Sequence, residues 1–372
     1  MKLSNIIISI VFSSFVAFTA NAQKIQIGSY SYKDGSVYSG EISAGKPNGK
    51  GRTQYRNGDV YEGEYVKGKR QGKGVMTYAS GEKYDGDWFM DQQHGVGTYY
   101  SLNNNIYTGQ WYRDAKEGKG RMSYYNGDVY DGEWKGDMRN GEGKYTYKSG
   151  AMYKGHWLND KKEGSGLFDW HDGSKYEGNW HENLRSGRGT FFYSNGDYYV
   201  GDWKNDVQEG RGTYKFKNGD IYEGEYSGGE RTGEGIFNFA NGDKYQGHFL
   251  RGEQSGHGTY IWKGVASYVG NWKSNKRNGH GVYKHKNGDV YEGEWKDNMM
   301  EGVGVLRQNG ERYKGQFKAN KREGKGTIIR DADGSRFDGH FKNDEKDGKF
   351  VEYDRNGNVT AKGTYQNGHL VK

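Results

Sequence analysis

Three sets of residues in this chain have the types and spacings of chemistry. Gly-x-Gly pairs recur at Gly49/Gly51, Gly72/Gly74 and Gly95/Gly97 and onward to Gly324/Gly326, and a glycine-rich turn ahead of a helix is a phosphate cradle. None of the pairs runs on as Gly-x-Gly-x-x-Gly into a helical pattern. The stretch from Gly68 to Gly74 lacks the spacing and the Ser or Thr of a nucleotide loop. Histidines share repeat positions, His156, His248 and His340 in one and His257 and His280 in another. Zinc draws its ligands to about 2 Å, whereas equivalent atoms two strands apart are about 9.6 Å from each other, so exposed, tolerant positions are expected rather than a metal site. Acids recur at Glu62/Glu64, Asp85/Asp87, Asp131/Glu133, Glu223/Glu225 and Glu292/Glu294. A glycosidase needs two carboxyl groups in unlike environments facing one cleft; a row repeated this often is a solvated face. Its expected cross-strand partners are Lys73, Lys119, Arg188, Arg211 and Lys325, which sit inside the Gly-x-Gly pairs. No catalytic residue, metal or cofactor is expected, and the chain reads as not an enzyme.

A repeat positions these residues. Tyr-x-Gly-x-aromatic occurs every 23 residues from Tyr38 to Tyr291, then at Tyr313 and Phe337, and decays toward Tyr365. Each Gly-x-Gly pair follows its tyrosine by 11 and 13 residues. Within a repeat, Tyr130, Gly132 and Trp134 alternate on one face of a strand, and Gly141, Gly143, Tyr145 and Tyr147 do the same on the next. Connectors such as Asn57-Gly58-Asp59 and Asn195-Gly196-Asp197 signal hairpins whose two turn residues both take positive φ. The composition fits this architecture. Of 372 residues 64 are glycine, with one proline, no cysteine, 33 Tyr, 15 Phe and 10 Trp. That excludes a collagen, a polytopic membrane protein and a disulfide scaffold, and leaves a core of rings laid over bare backbone. The fold expected is all-β: an elongated, twisted, single-layer antiparallel ribbon of fourteen hairpin repeats, on the order of 140 Å long.

The first residues differ from the rest. Lys2, the apolar run Ile6 to Phe18 and Ala20-Asn21-Ala22 read as a cleaved secretory signal peptide over 1–22. The domain organisation is then a half repeat at 23–37, an array of fourteen repeats over 38–360 and a degenerate repeat at 361–372. The expected location is exported, periplasmic or extracellular at the cell surface. A lipoprotein anchor is not expected, since it needs a cysteine.

The unit Tyr-x-Gly-x-Trp, charged turn, Gly-x-Gly-x-x-x-Tyr, Asn-Gly-Asp resembles the MORN family (membrane occupation and recognition nexus), in an exported, bacterial-type form, over essentially residues 28–368. The resemblance implies a scaffold or interaction module, with phospholipid binding as one property and assembly through the repeats as another. Combined with the residues, it gives a non-enzymatic repeat scaffold that binds a protein or an envelope polysaccharide along its ribbon. The alternative is a peripheral binder of anionic phospholipid surfaces, in keeping with a formal net charge of +7. Nucleic acid is not an expected partner, and self-assembly through the open ribbon edges, near Tyr30 and Tyr365, is a further expectation. The candidate ligand-facing row is aromatic: Trp88, Trp111, Trp134, Trp157, Trp180, Trp203, Trp272 and Trp295. These indoles read either as core or as a surface left bare by the lack of a second layer.

Overall fold

The computed structural model describes residues 25–371, so the signal segment expected at 1–22 and the terminus expected at Gln23 lie outside the described residues. The chain packs as two units, one running to Gly127 and including Glu133–Asp137, the other comprising Asp128–Gly132 and Met138 onward. The two are built alike. In the first, strands from Gln26–Ser31 to Ala115–Ser123 pair antiparallel, each with the one before and the one after. In the second the same meander runs from Met138–Thr146 to His369–Leu370. Among the described residues there is no helix.

One repeat shows how the sequence makes this hairpin. Strand Lys175–His181 pairs with Leu184–Phe192 through Tyr176↔Phe191, Gly178↔Gly189 and Trp180↔Arg185. Between the last two pairs Asn179 alone faces residues 186–188, a bulge that Gly187 accommodates with φ +64°. Tyr176 lies flat over the paired glycines: a Cβ on Gly189 would come within 2.3–2.6 Å of its ring and hydroxyl. Its hydroxyl donates to the Asn179 carbonyl at 3.0 Å, the group that the bulge takes out of the ladder. Twelve such tyrosines, Tyr38 through Tyr291, are fully buried. Glycine on both strands thus makes room for the ring, and the ring returns the contact area that the glycines lack.

The turns differ from expectation. Positive φ at both turn residues occurs at the other end of the hairpin, at Glu182 (48°) and Asn183 (74°), at Asn205 (49°) and Asp206 (70°), and at Asp297 (48°) and Asn298 (72°). In Asn195-Gly196-Asp197 only Gly196 does so, at 94°, within a longer loop closed by Tyr193 N–H to the Asp197 carbonyl at 2.9 Å. The cause is loop length. Two-residue connections demand the left-handed pair, whereas longer loops need one left-handed residue, a place for glycine.

Candidate functional site

All eight candidate tryptophans are buried, 3–6% exposed. Each indole N–H donates to the carbonyl of the second glycine of the preceding repeat, at 3.0–3.3 Å. Trp180 meets Tyr176 of its own repeat edge-on at 5.2 Å and Tyr153 of the repeat before at 5.5 Å. The tryptophan therefore wedges between two tyrosines, and each edge-to-face pair contributes about 0.5–1.5 kcal/mol beyond burial. Its outer face is closed by a cation nine residues after the earlier tyrosine. Arg70 lies 4.2 Å from Trp88, Arg139 4.3 Å from Trp157, Lys162 4.2 Å from Trp180, Arg185 4.4 Å from Trp203 and Arg277 4.2 Å from Trp295. Burial lowers the pKa of Arg277 and brings that of Lys162 down to about 8.

These cations are held by the next hairpin turn. The Arg185 amide donates to the Asp206 carboxylate at 2.8 Å, its Nε to the same oxygen at 3.0 Å, and its guanidinium to the Asp206 carbonyl at 2.8 Å. Asn does the amide part of this as well: Lys162 N–H to Asn183 and Arg277 N–H to Asn298, both 2.8 Å. At the opposite end the connector acids work similarly. Asp197 accepts the Lys217 amide at 2.7 Å and the Tyr214 hydroxyl at 2.9 Å, and the Lys217 bond heads the causes that keep its carboxyl below the ordinary range. Neither the cation row nor the turn Asp/Asn was singled out in the sequence; the signal is a fixed offset from the repeat tyrosine, nine residues for one and seven for the other.

The rings that remain half-exposed form another row, 17 residues after each tyrosine: Tyr147, Trp170, Tyr193, Phe216, Phe239 and Trp262. Each alternates with a ring two residues before it, Phe168, Phe191, Tyr214, Phe237 or Tyr260, of which Phe168 and Phe237 are buried. The contacts run unbroken from Tyr145 to Tyr283, with centroids 4.4–5.8 Å apart. This ladder, on the tyrosine side of the sheet in the second unit, is a continuous row of partly exposed rings; more exposed rings such as Tyr125, Tyr112 and Phe192 lie outside it.

The polar candidates are more modest. Of the basic residues expected as cross-strand partners inside the Gly-x-Gly pairs, Lys73 pairs with Asp87 at 2.7 Å and Arg211 with Glu225 at 3.8 Å. His156 pairs with Glu142 at 2.8 Å, and it and its partner are about half exposed. Among the described residues no group of three or more His, Asp or Glu is placed to hold a metal ion.

Comparison with solved structures finds the TCP10 domain of Danio rerio CPAP in complex with a peptide of STIL. Identity is 9%, with 74% of this chain and 98% of that one covered, at a TM-score of 0.29. The same domain alone gives 15% identity, 54% and 94% coverage and a TM-score of 0.31. A virginiamycin B lyase from Staphylococcus aureus gives 9% identity, 74% and 97% coverage and a TM-score of 0.12. No curated protein matches the chain. The MORN repeat model, in contrast, matches segment after segment from 38–60 to 337–359, with breaks only at 265–267 and 335–336. Fourteen matched repeats, built as one type of ring-over-glycine hairpin, make this chain a member of the MORN-repeat family.

Proposed function

We propose that this repeat scaffold is an exported, non-enzymatic protein that binds a protein or an envelope polysaccharide along the ring ladder. The unbroken row from Tyr145 to Tyr283, with Trp170, Phe239 and Trp262 half-exposed, carries the reading. Flat rings with hydroxyls and indole edges suit sugar faces and protein side chains alike, and accessible aromatic surface of this extent marks an interaction site. The test is sedimentation of the full chain with isolated envelope material at low and high salt. Stacking contacts persist at high ionic strength, so binding is expected to survive salt and to weaken in Trp170→Ala/Phe239→Ala. Absence of co-sedimentation at both salts defeats the reading. The second reading, an anionic phospholipid surface, draws on the formal net charge of +7; it requires co-sedimentation with phosphatidylserine vesicles that collapses as salt rises.

A further inference from the structure

On the face opposite the rings, the last repeats form a hollow of about 1010 Å³. It spans strands from Met299–Gln308 to Val359–Gln366, six strands and about 24 Å across. Two cross-strand rows line it. One runs Lys314↔Thr327↔Asp338↔Val351↔Lys362, the other contains Lys325↔His340 and Lys349↔Thr364. Between them the floor is bare backbone at Gly315, Gly326, Gly339 and Gly363. Lys314, Lys325, Lys349 and Lys362 are all exposed, and Asp338 is the one acid in the lining. That acid is already engaged by Arg336 at 3.1 Å and by the Thr327 hydroxyl at 2.7 Å. A smaller hollow of about 380 Å³ on the same face is balanced, with Arg188 and Arg211 against Glu223 and Glu234. The four lysines are thus an excess of positive charge that the smaller hollow does not have.

We propose that this hollow is a second binding site, independent of the ring ladder, for an anionic polysaccharide whose charges are carboxylates. The ammonium groups in two rows meet carboxylates along a chain. Thr327, Thr364 and Gln316 offer hydroxyl and amide partners to sugar hydroxyls, and the glycine floor with Val303 and Val351 receives the flat C–H faces. An extended acidic peptide fits less well. The site lies on a sheet face whose backbone groups are consumed in the ladders, so the peptide main chain would find no strand partner there.

The test measures binding of polygalacturonate, polyglutamate and phosphatidylserine vesicles to the full chain, to Lys325→Glu/Lys349→Glu, and to Lys144→Glu/Lys154→Glu. The last two lysines form a cross-strand pair on the same face outside the hollow. Polygalacturonate is expected to bind the native chain in a salt-sensitive manner, and the hollow variant to weaken it about tenfold or more while the control variant does not. An equal effect of both variants, or polyglutamate or vesicles bound as tightly as polygalacturonate, overturns the proposal. Retention on envelope material through the ring ladder is read separately and is unaffected by that outcome.

Discussion

At Gly189 a single added methyl group is expected to unseat a tyrosine. Its Cβ would meet the Tyr176 ring and hydroxyl at 2.3–2.6 Å, and the ring is pinned between two glycines and two tryptophans, Trp180 and Trp203. Gly189→Ala is therefore expected to cost about 1–3 kcal/mol of local stability, the range for forcing extra volume into a packed site. Gly228→Asn is the contrast: nothing lies within 4 Å of that Cβ, and Asn205 occupies the same turn position at φ 49°. Amide exchange across the hairpin distinguishes the two, faster in the first and near native in the second. Tyr176→Phe leaves the bulge carbonyl of Asn179 without its donor and is expected to cost about 1–2 kcal/mol. The chain makes a similar exchange at Phe337, whose ring still covers Gly339.

For the hairpin, cohesion between repeats depends on the turn residue that reaches back. Asp206→Ala removes the acceptor of the Arg185 amide and its ion pair. With Asp206 partly exposed, a loss of about 1–2 kcal/mol is expected. Asp206→Asn keeps most of it, because Asn183 and Asn298 already do this work. Exchange of the Arg185 amide in the two variants is the measurement. This level of structure was only half legible in the sequence. Alternation of Tyr, Gly and Trp fixes strand faces because the side-chain period of a strand is two, and so the ring core could be read directly. Turn geometry could not, because Asn-Gly is a strong signal for a two-residue turn while the pairs that form it here, Asn205-Asp206 and Glu182-Asn183, are polar and varied. The cation row escaped for another reason: Arg185 contacts Trp203 of the following repeat, a relation that appears only once strands are stacked. The candidate tryptophans read as a face that a single layer could leave bare, yet Trp203 is covered by Tyr176, Tyr199 and Arg185, and the half-buried row that includes Trp170 and Phe239 is more open.

Over the whole molecule, the buried tyrosines set the response to pH. Burial pushes Tyr176, Tyr222, Tyr268 and Tyr313 up to about 12, above the value of about 10 in an unfolded chain. Below pH of about 10 both states are protonated and the ring contribution is complete. As pH rises from there, the unfolded chain sheds its protons first, so stability falls until the folded value is reached. Repeated at a dozen sites, this gives steep alkaline unfolding, with tyrosinate absorbance and loss of β circular dichroism rising together; tyrosinate forming well before the fold is lost would contradict it. On the acid side, Asp197, lowered mainly by the Lys217 amide, and Glu163, lowered mainly by the Glu182 amide, contribute stability above the unfolded carboxyl value that disappears as pH drops through the folded one.

The turn that reaches back one repeat also governs how the gene for such a chain can change. From Arg70 to Arg277 the anchoring contacts join positions at the same offset, for example Arg139 to Trp157 and Asp160, and Lys162 to Trp180 and Asn183. Excising residues 153–175 would present Arg139 with Trp180 and Asn183 in their places. Recombination in whole periods thus preserves these contacts, whereas a deletion of half a period would set Arg139 against the wrong strand. Length becomes a heritable variable, adjustable in steps of one hairpin pair without inventing a new contact.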